Sequence, residues 1–233
     1  MSSGPTGERP RVRNSSEKPP LIDFDPGTNV LVSGPPLIGK YDLMLGTLAR
    51  GTERGEGSVV VATRDDERAV LRDYERISPE FDRSRVGVVE CISGQRGGET
   101  EHDGEALVRR ASSPADLTGV GIGASELMGD LHDAGASGLR LGVDSLSTLL
   151  LYTEFDRLAR FLHVLSGRID RAGGIGLFVI NPGTIDAAQF DQLKTLFDGL
   201  VELRERDERR EIRVRGLPGT DDEWRPYKAA KHD

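Results

Sequence analysis

The chain has 233 residues, a mass of 25.4 kDa and a formal net charge of −8 at pH 7. This length fits one large domain, or one domain with tails. Its single cysteine, Cys91, excludes an internal disulfide framework and a cysteine-based zinc site. No stretch approaches the roughly 20 apolar residues of a membrane span, and the N-terminus lacks the apolar segment of a secretory signal. We therefore expect a cytoplasmic protein without a membrane partner.

The basic residues are almost all arginine. The 31 basic residues include only five lysines, which are Lys18, Lys40, Lys194, Lys228 and Lys231. Together with abundant acidic residues and glycine, this bias is typical of a protein adapted to a salty cytoplasm, although a genome rich in G and C would give a similar bias. The acidic balance argues against broad DNA binding, which needs a basic surface, so we do not expect DNA as a partner.

The hydrophobic pattern alternates between strand-like and helix-like segments. Residues 1–20 have too few apolar side chains to fold and predict a disordered tail, residues 21–219 form the domain, and residues 220–233 form a C-terminal tail. In chain order the pattern predicts strand 30–32, strand 59–62, helix 65–77, strand 86–89, a glycine-rich loop over 93–105, strand 139–143, helix 155–171, strand 176–180, helix 187–197, and strands 199–204 and 211–215 joined by a charged turn over 205–210.

This alternation predicts an α/β fold with a mostly parallel central sheet flanked by helices, and an antiparallel edge hairpin near the C-terminus. Ligands of such sheets bind beyond the carboxyl ends of the strands. Ser33 and Asp144 both follow apolar strand segments, so both are expected at that edge of the sheet.

A glycine loop lies between the first strand and the next helical segment. It reads Gly34, Pro35, Pro36, Leu37, Ile38, Gly39 and Lys40, which matches the Gly-x-x-x-x-Gly-Lys pattern of a phosphate-binding loop. In such a loop backbone amides and the helix dipole surround a phosphate, and the lysine adds a positive charge. The next position should be Ser or Thr, whose hydroxyl binds Mg²⁺, but it is Tyr41. The alternative is a tight strand-to-helix turn with Lys40 as a solvated helix start.

A second motif ends at Asp144, after an apolar strand that begins at Leu139. In a phosphate-binding protein a carboxylate in this position holds Mg²⁺ directly or through water, so Asp144 is a candidate metal ligand. Asp42, beside Tyr41, is a further carboxylate that could replace the missing hydroxyl. The alternative is that Asp144 only caps the helix that follows it.

These motifs resemble the KaiC/GvpD branch of the RecA-like P-loop ATPases, over about residues 30–219. The resemblance rests on the loop 34–40, on the strand and acidic residues at 59–67, on the segment 141–148, and on the segments 197–203 and 212–216. The sequence is most similar to a divergent KaiC-like group of halophilic archaea, sometimes described as transducer-like. The resemblance implies a RecA-like core, ATP and Mg²⁺ as cofactors, and a regulatory or signalling role.

Where the family has its catalytic Glu pair, this sequence has Arg64, followed by Asp65 and Asp66. An Arg cannot accept a proton from the attacking water, because its guanidinium does not deprotonate in proteins. A shift of one residue would put Asp65 in the catalytic place, with a shorter reach, and an active ATPase would use Asp65 or Asp66. Alternatively, both carboxylates only favour the helix start. Since a general base contributes about 10²–10⁴-fold to the rate, we expect ATP or ADP to bind with slow or no hydrolysis.

The resemblance also implies a role for Arg213 and Arg215, which match the family's Lys-x-Arg-Gly strand. In the family these cations reach the phosphates of a neighbouring subunit, so a working pair would require a homo-oligomer. The alternative is that both are exposed residues of a charge-rich hairpin. Trp224 is a candidate anchor that folds the C-terminal tail back onto the domain.

Three functions remain open from the sequence. The first is a nucleotide-responsive regulator, the second is an active ATPase of this family, and the third is a scaffold that binds a protein partner and no nucleotide. Turnover separates the first two, and binding of Mg·ATP separates both from the third.

Overall fold

The computed structural model describes residues 22–92 and 106–228. The predicted loop over 93–105 and the predicted tail over 1–20 lie outside these ranges. Within them the strands are β1 (Asn29–Ser33), β2 (Gly57–Ala62), β3 (Val86–Glu90), β4 (Leu107–Arg110), β5 (Leu139–Asp144), β6 (Ile175–Ile180), β7 (Gly199–Arg206), β8 (Arg209–Arg215) and β9 (Arg225–Pro226). The helices are α1 (Lys40–Glu53), α2 (Glu67–Ile77), α3 (Leu117–Asp133), α4 (Leu146–Leu149), α5 (Phe155–Arg171) and α6 (Ala187–Lys194).

The strands form one sheet in the order β4-β3-β2-β5-β6-β1-β7-β8-β9. Every pair from β4 to β7 is parallel, and the β7–β8 and β8–β9 pairs are antiparallel. The predicted α/β fold, with a mostly parallel sheet and an antiparallel C-terminal hairpin, is confirmed.

Helices cover both faces of the sheet. On one face α1 and α2 pack with the even-numbered residues of β1, such as Val30 and Val32. On the other face α3, α4, α5 and α6 pack around Leu31, Val59 and Phe178. Because the central strands are buried on both faces, they read as continuous apolar runs, which is typical of parallel sheets covered on both sides.

Three elements, β4, α3 and the two-residue strand β9, have no counterpart among the predicted elements. The segment of α3 contains four glycines, which disfavour helix in isolation. One of them, Gly123, lets the helix approach the sheet, because a Cβ there would lie 3.0 Å from the Cβ of Arg109 on β4. Tertiary packing therefore outweighs local propensity in this segment.

The C-terminal hairpin is tighter than predicted. The expected turn over 205–210 shrinks to Asp207 and Glu208, whose φ angles are 50° and 59°, so both strands extend further. Two central residues with positive φ give a turn whose twist matches the flanking strands. The predicted helix 187–197 also ends earlier, at Lys194.

Candidate functional site

The predicted site residues other than Arg213 and Arg215 lie at the carboxyl ends of β1, β2 and β5. Ser33 ends β1 and leads into the 34–40 loop, while Asp144 ends β5. The pairing of β2 with β5 sets Ala62 opposite Asp144, so the residues after β2 lie next to that carboxylate. Because all three strands are parallel, their ends lie at one edge of the sheet.

Lys40 is held inside the loop and is not a solvated helix start. Its side chain donates from Nζ to the carbonyls of Gly34 at 2.7 Å and Pro35 at 2.5 Å, and the residue is 6% exposed. An ammonium has three donors, so one remains for a ligand. Burial lowers the pKa of Lys40 to about 8, although Asp144 acts in the opposite direction.

The loop conformation depends on its two glycines. A Cβ at Gly34 would lie 2.7 Å from the carbonyl oxygen of Leu203 on β7, so only glycine allows this approach. Gly39 has φ 99° and precedes α1, whose first amides receive no side-chain cap. Uncapped amides at a helix start are ready donors for an anion. Leu37 has φ 62° and is 94% exposed at the loop tip.

Tyr41 points its phenol towards α2. Its hydroxyl is buried near the Asp73 carboxylate, and burial, with Asp73 and Asp144 adding to the effect, raises its pKa far above the ordinary value. The Arg64 guanidinium lies 5.9 Å from the centroid of its ring. The position that would carry a Mg²⁺-binding hydroxyl is thus filled by a ring packed between α1 and α2.

Asp144 is paired with Arg64. The guanidinium donates to Oδ2 of Asp144 from Nε at 3.2 Å and from Nη2 at 2.7 Å. The carboxylate side chain is 5% exposed, whereas that of Arg64 is 49% exposed. Burial raises the pKa of Asp144, and the neighbouring Arg64 and Lys40 offset part of that rise. Thr63 fixes the end of β5, since its hydroxyl donates to the Asp144 carbonyl at 2.6 Å.

The residues present do not fit a magnesium ion. Mg²⁺ in such sites is held by one or two carboxylates together with the ligand's phosphates. Asp144 is paired with Arg64, and Asp42 is buried and paired with Arg76 of α2 at 3.0 Å. Tyr41 replaces the hydroxyl. Across the described ranges no group of three or more His, Cys, Asp or Glu side chains is arranged to hold a metal ion.

The two acidic residues after Arg64 have different positions. Asp66 is the N-cap of α2 and accepts a hydrogen bond from the Ala69 amide at 2.8 Å. Asp65 lies close enough to Arg64 and Asp144 to influence the pKa of both. Asp66 therefore has a structural contact that accounts for it, and Asp65 is the acidic residue nearer to the site.

Arg213 and Arg215 lie on β8, two strands from β1. Arg213 binds one oxygen of Glu202 from Nε at 2.9 Å and Nη2 at 2.7 Å, and its guanidinium lies 4.5 Å from the Trp224 ring centroid. Arg215 pairs with Asp222 at 3.2 Å. Both arginines therefore contact carboxylates of their own chain. The structure does not bring them together with Lys40 and Asp144.

Tyr227 contacts the 34–40 loop, a contact that the sequence analysis did not predict. Its hydroxyl donates to the Gly39 carbonyl at 3.0 Å, and the residue is 3% exposed. The pairing of β9 with β8 brings it there, and Trp224 lies 3.9 Å from the Arg204 guanidinium. An aromatic residue in a polar tail is the sequence signal that could have suggested this contact, and its burial is visible only in the structure.

Comparison with known proteins finds one matching family model and solved structures with a similar fold. The model of a family of unknown function, DUF7504, matches residues 27–203. A crystal structure of a KaiC-like protein from the hyperthermophilic archaeon Pyrococcus horikoshii is similar, with a TM-score of 0.62 and 18% sequence identity over 87% of this chain and 85% of that chain. No curated protein matches the sequence. At this identity the likeness shows the fold alone, a RecA-like P-loop fold.

Proposed function

We propose that this chain, which belongs to the family of unknown function DUF7504, binds ATP or ADP at its 34–40 loop and hydrolyses ATP slowly or not at all. The observation that carries the proposal is the position of Lys40. Its ammonium is fixed by two loop carbonyls at the start of α1, with one donor left for a phosphate. The uncapped amides of the first helical turn supply further donors.

Two features support slow hydrolysis. The position of the catalytic Glu in KaiC-like ATPases holds Arg64, whose guanidinium binds Asp144 and cannot take a proton. Asp66 caps α2, which leaves Asp65 as the remaining acidic candidate. A site that binds a nucleotide and converts it slowly suits a cytoplasmic regulatory or signalling component, whose state reports which nucleotide is bound.

A homo-oligomer is part of this proposal only if Arg213 and Arg215 leave their present partners. Both are paired with Glu202 or Asp222 within the chain. Action on a neighbouring subunit's phosphates would break these pairs. Within the described ranges no helix is long and apolar enough to cross a membrane.

Calorimetric titration of ADP and ATP at high KCl, with Mg²⁺ present, tests the proposed site. Lys40→Ala should weaken binding by about tenfold or more, because hydrogen bonds to charged groups contribute about 1.5–3 kcal/mol. Lys194→Ala is the matched control, since it removes an equal charge from α6, where the lysine pairs with Asp191. The proposal fails if the wild type binds neither nucleotide, or if Lys40→Ala binds as tightly as the control.

A further inference from the structure

The unusual feature of the site is that an arginine of the chain itself, Arg64, occupies the carboxylate expected to bind Mg²⁺. Arg64 follows β2 and binds the Asp144 carboxylate, which is the one buried acid at the carboxyl end of β5. A Mg²⁺ ion on Asp144 would have to displace this guanidinium or lie beside it. Lys40 lies near both groups, since the charges of Asp144 and Arg64 influence its pKa. A dication at Asp144 would therefore meet the positive charges of Lys40 and Arg64 as well as the carboxylate.

Arg64 has the donors and the exposure to bind a phosphate while it stays on Asp144. A guanidinium carries five N–H donors in a rigid fork, and the contacts with Oδ2 use one from Nε and one from Nη2. Its side chain is 49% exposed, so a ligand can reach the side chain while it stays paired with Asp144. Guanidinium pairs well with phosphate oxygens because its fork matches their geometry.

The local charges are balanced before a ligand arrives. Lys40 and Arg64 are opposed by Asp144 and by Asp65, which lies near both Arg64 and Asp144. A phosphate is therefore held by directed donors rather than by a large net charge. The donors on the described residues include the third N–H of Lys40, the remaining N–H groups of Arg64 and the first amides of α1.

We propose that Arg64 takes the place of Mg²⁺ in this site, so that the 34–40 loop binds the phosphates of a nucleotide without a metal. The inference rests on the proposed nucleotide binding and goes beyond it by defining the ligand as the metal-free nucleotide. Asp144 then orients the guanidinium and does not ligate a metal. Tyr41 packs beside the Arg64 guanidinium. A site without Mg²⁺ needs no Ser or Thr hydroxyl at this position.

The test is calorimetric titration of ADP at high KCl, once with EDTA and once with excess Mg²⁺. The wild type should bind equally well in both, within about threefold. Arg64→Ala should weaken binding in EDTA by about tenfold or more, since it removes charged hydrogen bonds. Arg72→Ala, an exposed arginine on α2, is the matched control and should bind as the wild type does.

Asp144→Asn provides a second variant that leaves Arg64 in place. Binding in EDTA should be kept, because the Asn side-chain oxygen still accepts hydrogen bonds from Arg64 and the charge of the guanidinium is unchanged. The inference is overturned if Mg²⁺ strengthens wild-type binding by about tenfold or more, if Arg64→Ala binds ADP in EDTA as tightly as Arg72→Ala, or if Asp144→Asn loses only Mg²⁺-dependent binding. Absence of ADP binding in both buffers would refute the proposed function itself, which is a separate result.

Discussion

At the scale of single residues, Lys40 combines burial with a fixed position. Two loop carbonyls accept its hydrogen bonds, and burial lowers the pKa of its ammonium from 10.5 to about 8. The protonated form is the one that binds an anion. A bound phosphate raises the lysine pKa again, so binding of the ligand and of the proton are coupled.

We therefore predict that ADP affinity falls as the pH rises through 8. Between pH 7 and pH 9 the affinity should drop by about tenfold, because the free site loses its proton over this range while the bound site keeps it. Titration calorimetry in EDTA across this range measures the effect. Lys40→Ala, which has no proton to lose here, is the control and should show a flat profile. A flat profile in the wild type would contradict a lysine–phosphate contact.

At the scale of elements, the β7–β8 hairpin stores backbone strain in its turn. Asp207 and Glu208 both have positive φ, a conformation that residues with a Cβ adopt at a cost. The preferred pair for this turn is Asn-Gly. The prediction of a six-residue turn was wrong. It rested on the charged residues over 205–210, which are typical of an exposed loop. In the structure β7 and β8 stay paired as far as Arg206 and Arg209, so only two residues form the turn.

The double change Asp207→Asn with Glu208→Gly should stabilise the protein by about 1 kcal/mol, since it relieves the positive-φ cost at both positions. Thermal unfolding at high KCl should show a rise of about 2–4 °C in Tm. Asp207→Ala with Glu208→Ala removes the same charges but keeps the strain, so it should not raise Tm. An equal rise in both variants would assign the effect to charge and not to the backbone.

At the scale of the whole molecule, the C-terminal segment contacts the 34–40 loop. The Tyr227 hydroxyl bonds to Gly39, 188 positions away in the chain, and Trp224 packs against the guanidinium groups of Arg204 and Arg213. This segment lies beyond residues 27–203, the part matched by the family model. The loop thus contacts a segment that the family match does not include.

Tyr227→Phe should lower stability by about 1 kcal/mol, because it removes one hydrogen bond and keeps the buried ring. The cost stays modest, since the Gly39 carbonyl also accepts from the Leu43 amide at 3.1 Å. Thermal unfolding should show Tm lower by about 2–4 °C, with faster amide exchange in residues 34–42. Tyr152→Phe, at a half-exposed tyrosine, is the control. Unchanged exchange in the loop would show that Tyr227 does not support it.

The sequence by itself determined the fold class and the two motifs. Apolar runs of strand length that alternate with amphipathic helices specify a covered parallel sheet, and the spacing of Gly34, Gly39 and Lys40 specifies a loop before a helix. These patterns are local, so they can be read without knowing which strands are neighbours. The roles of Asp65, Arg213 and Arg215 stay predictions.

Only the tertiary structure decided what the site contains. The contact between Arg64 and Asp144 spans 80 positions and exists because β2 lies beside β5, and the contact between Tyr227 and Gly39 exists because β9 returns to β8. Strand order depends on the packing of the whole sheet and leaves no local pattern in the sequence. The motif that predicts a magnesium ligand at Asp144 therefore could not reveal that an arginine already binds it.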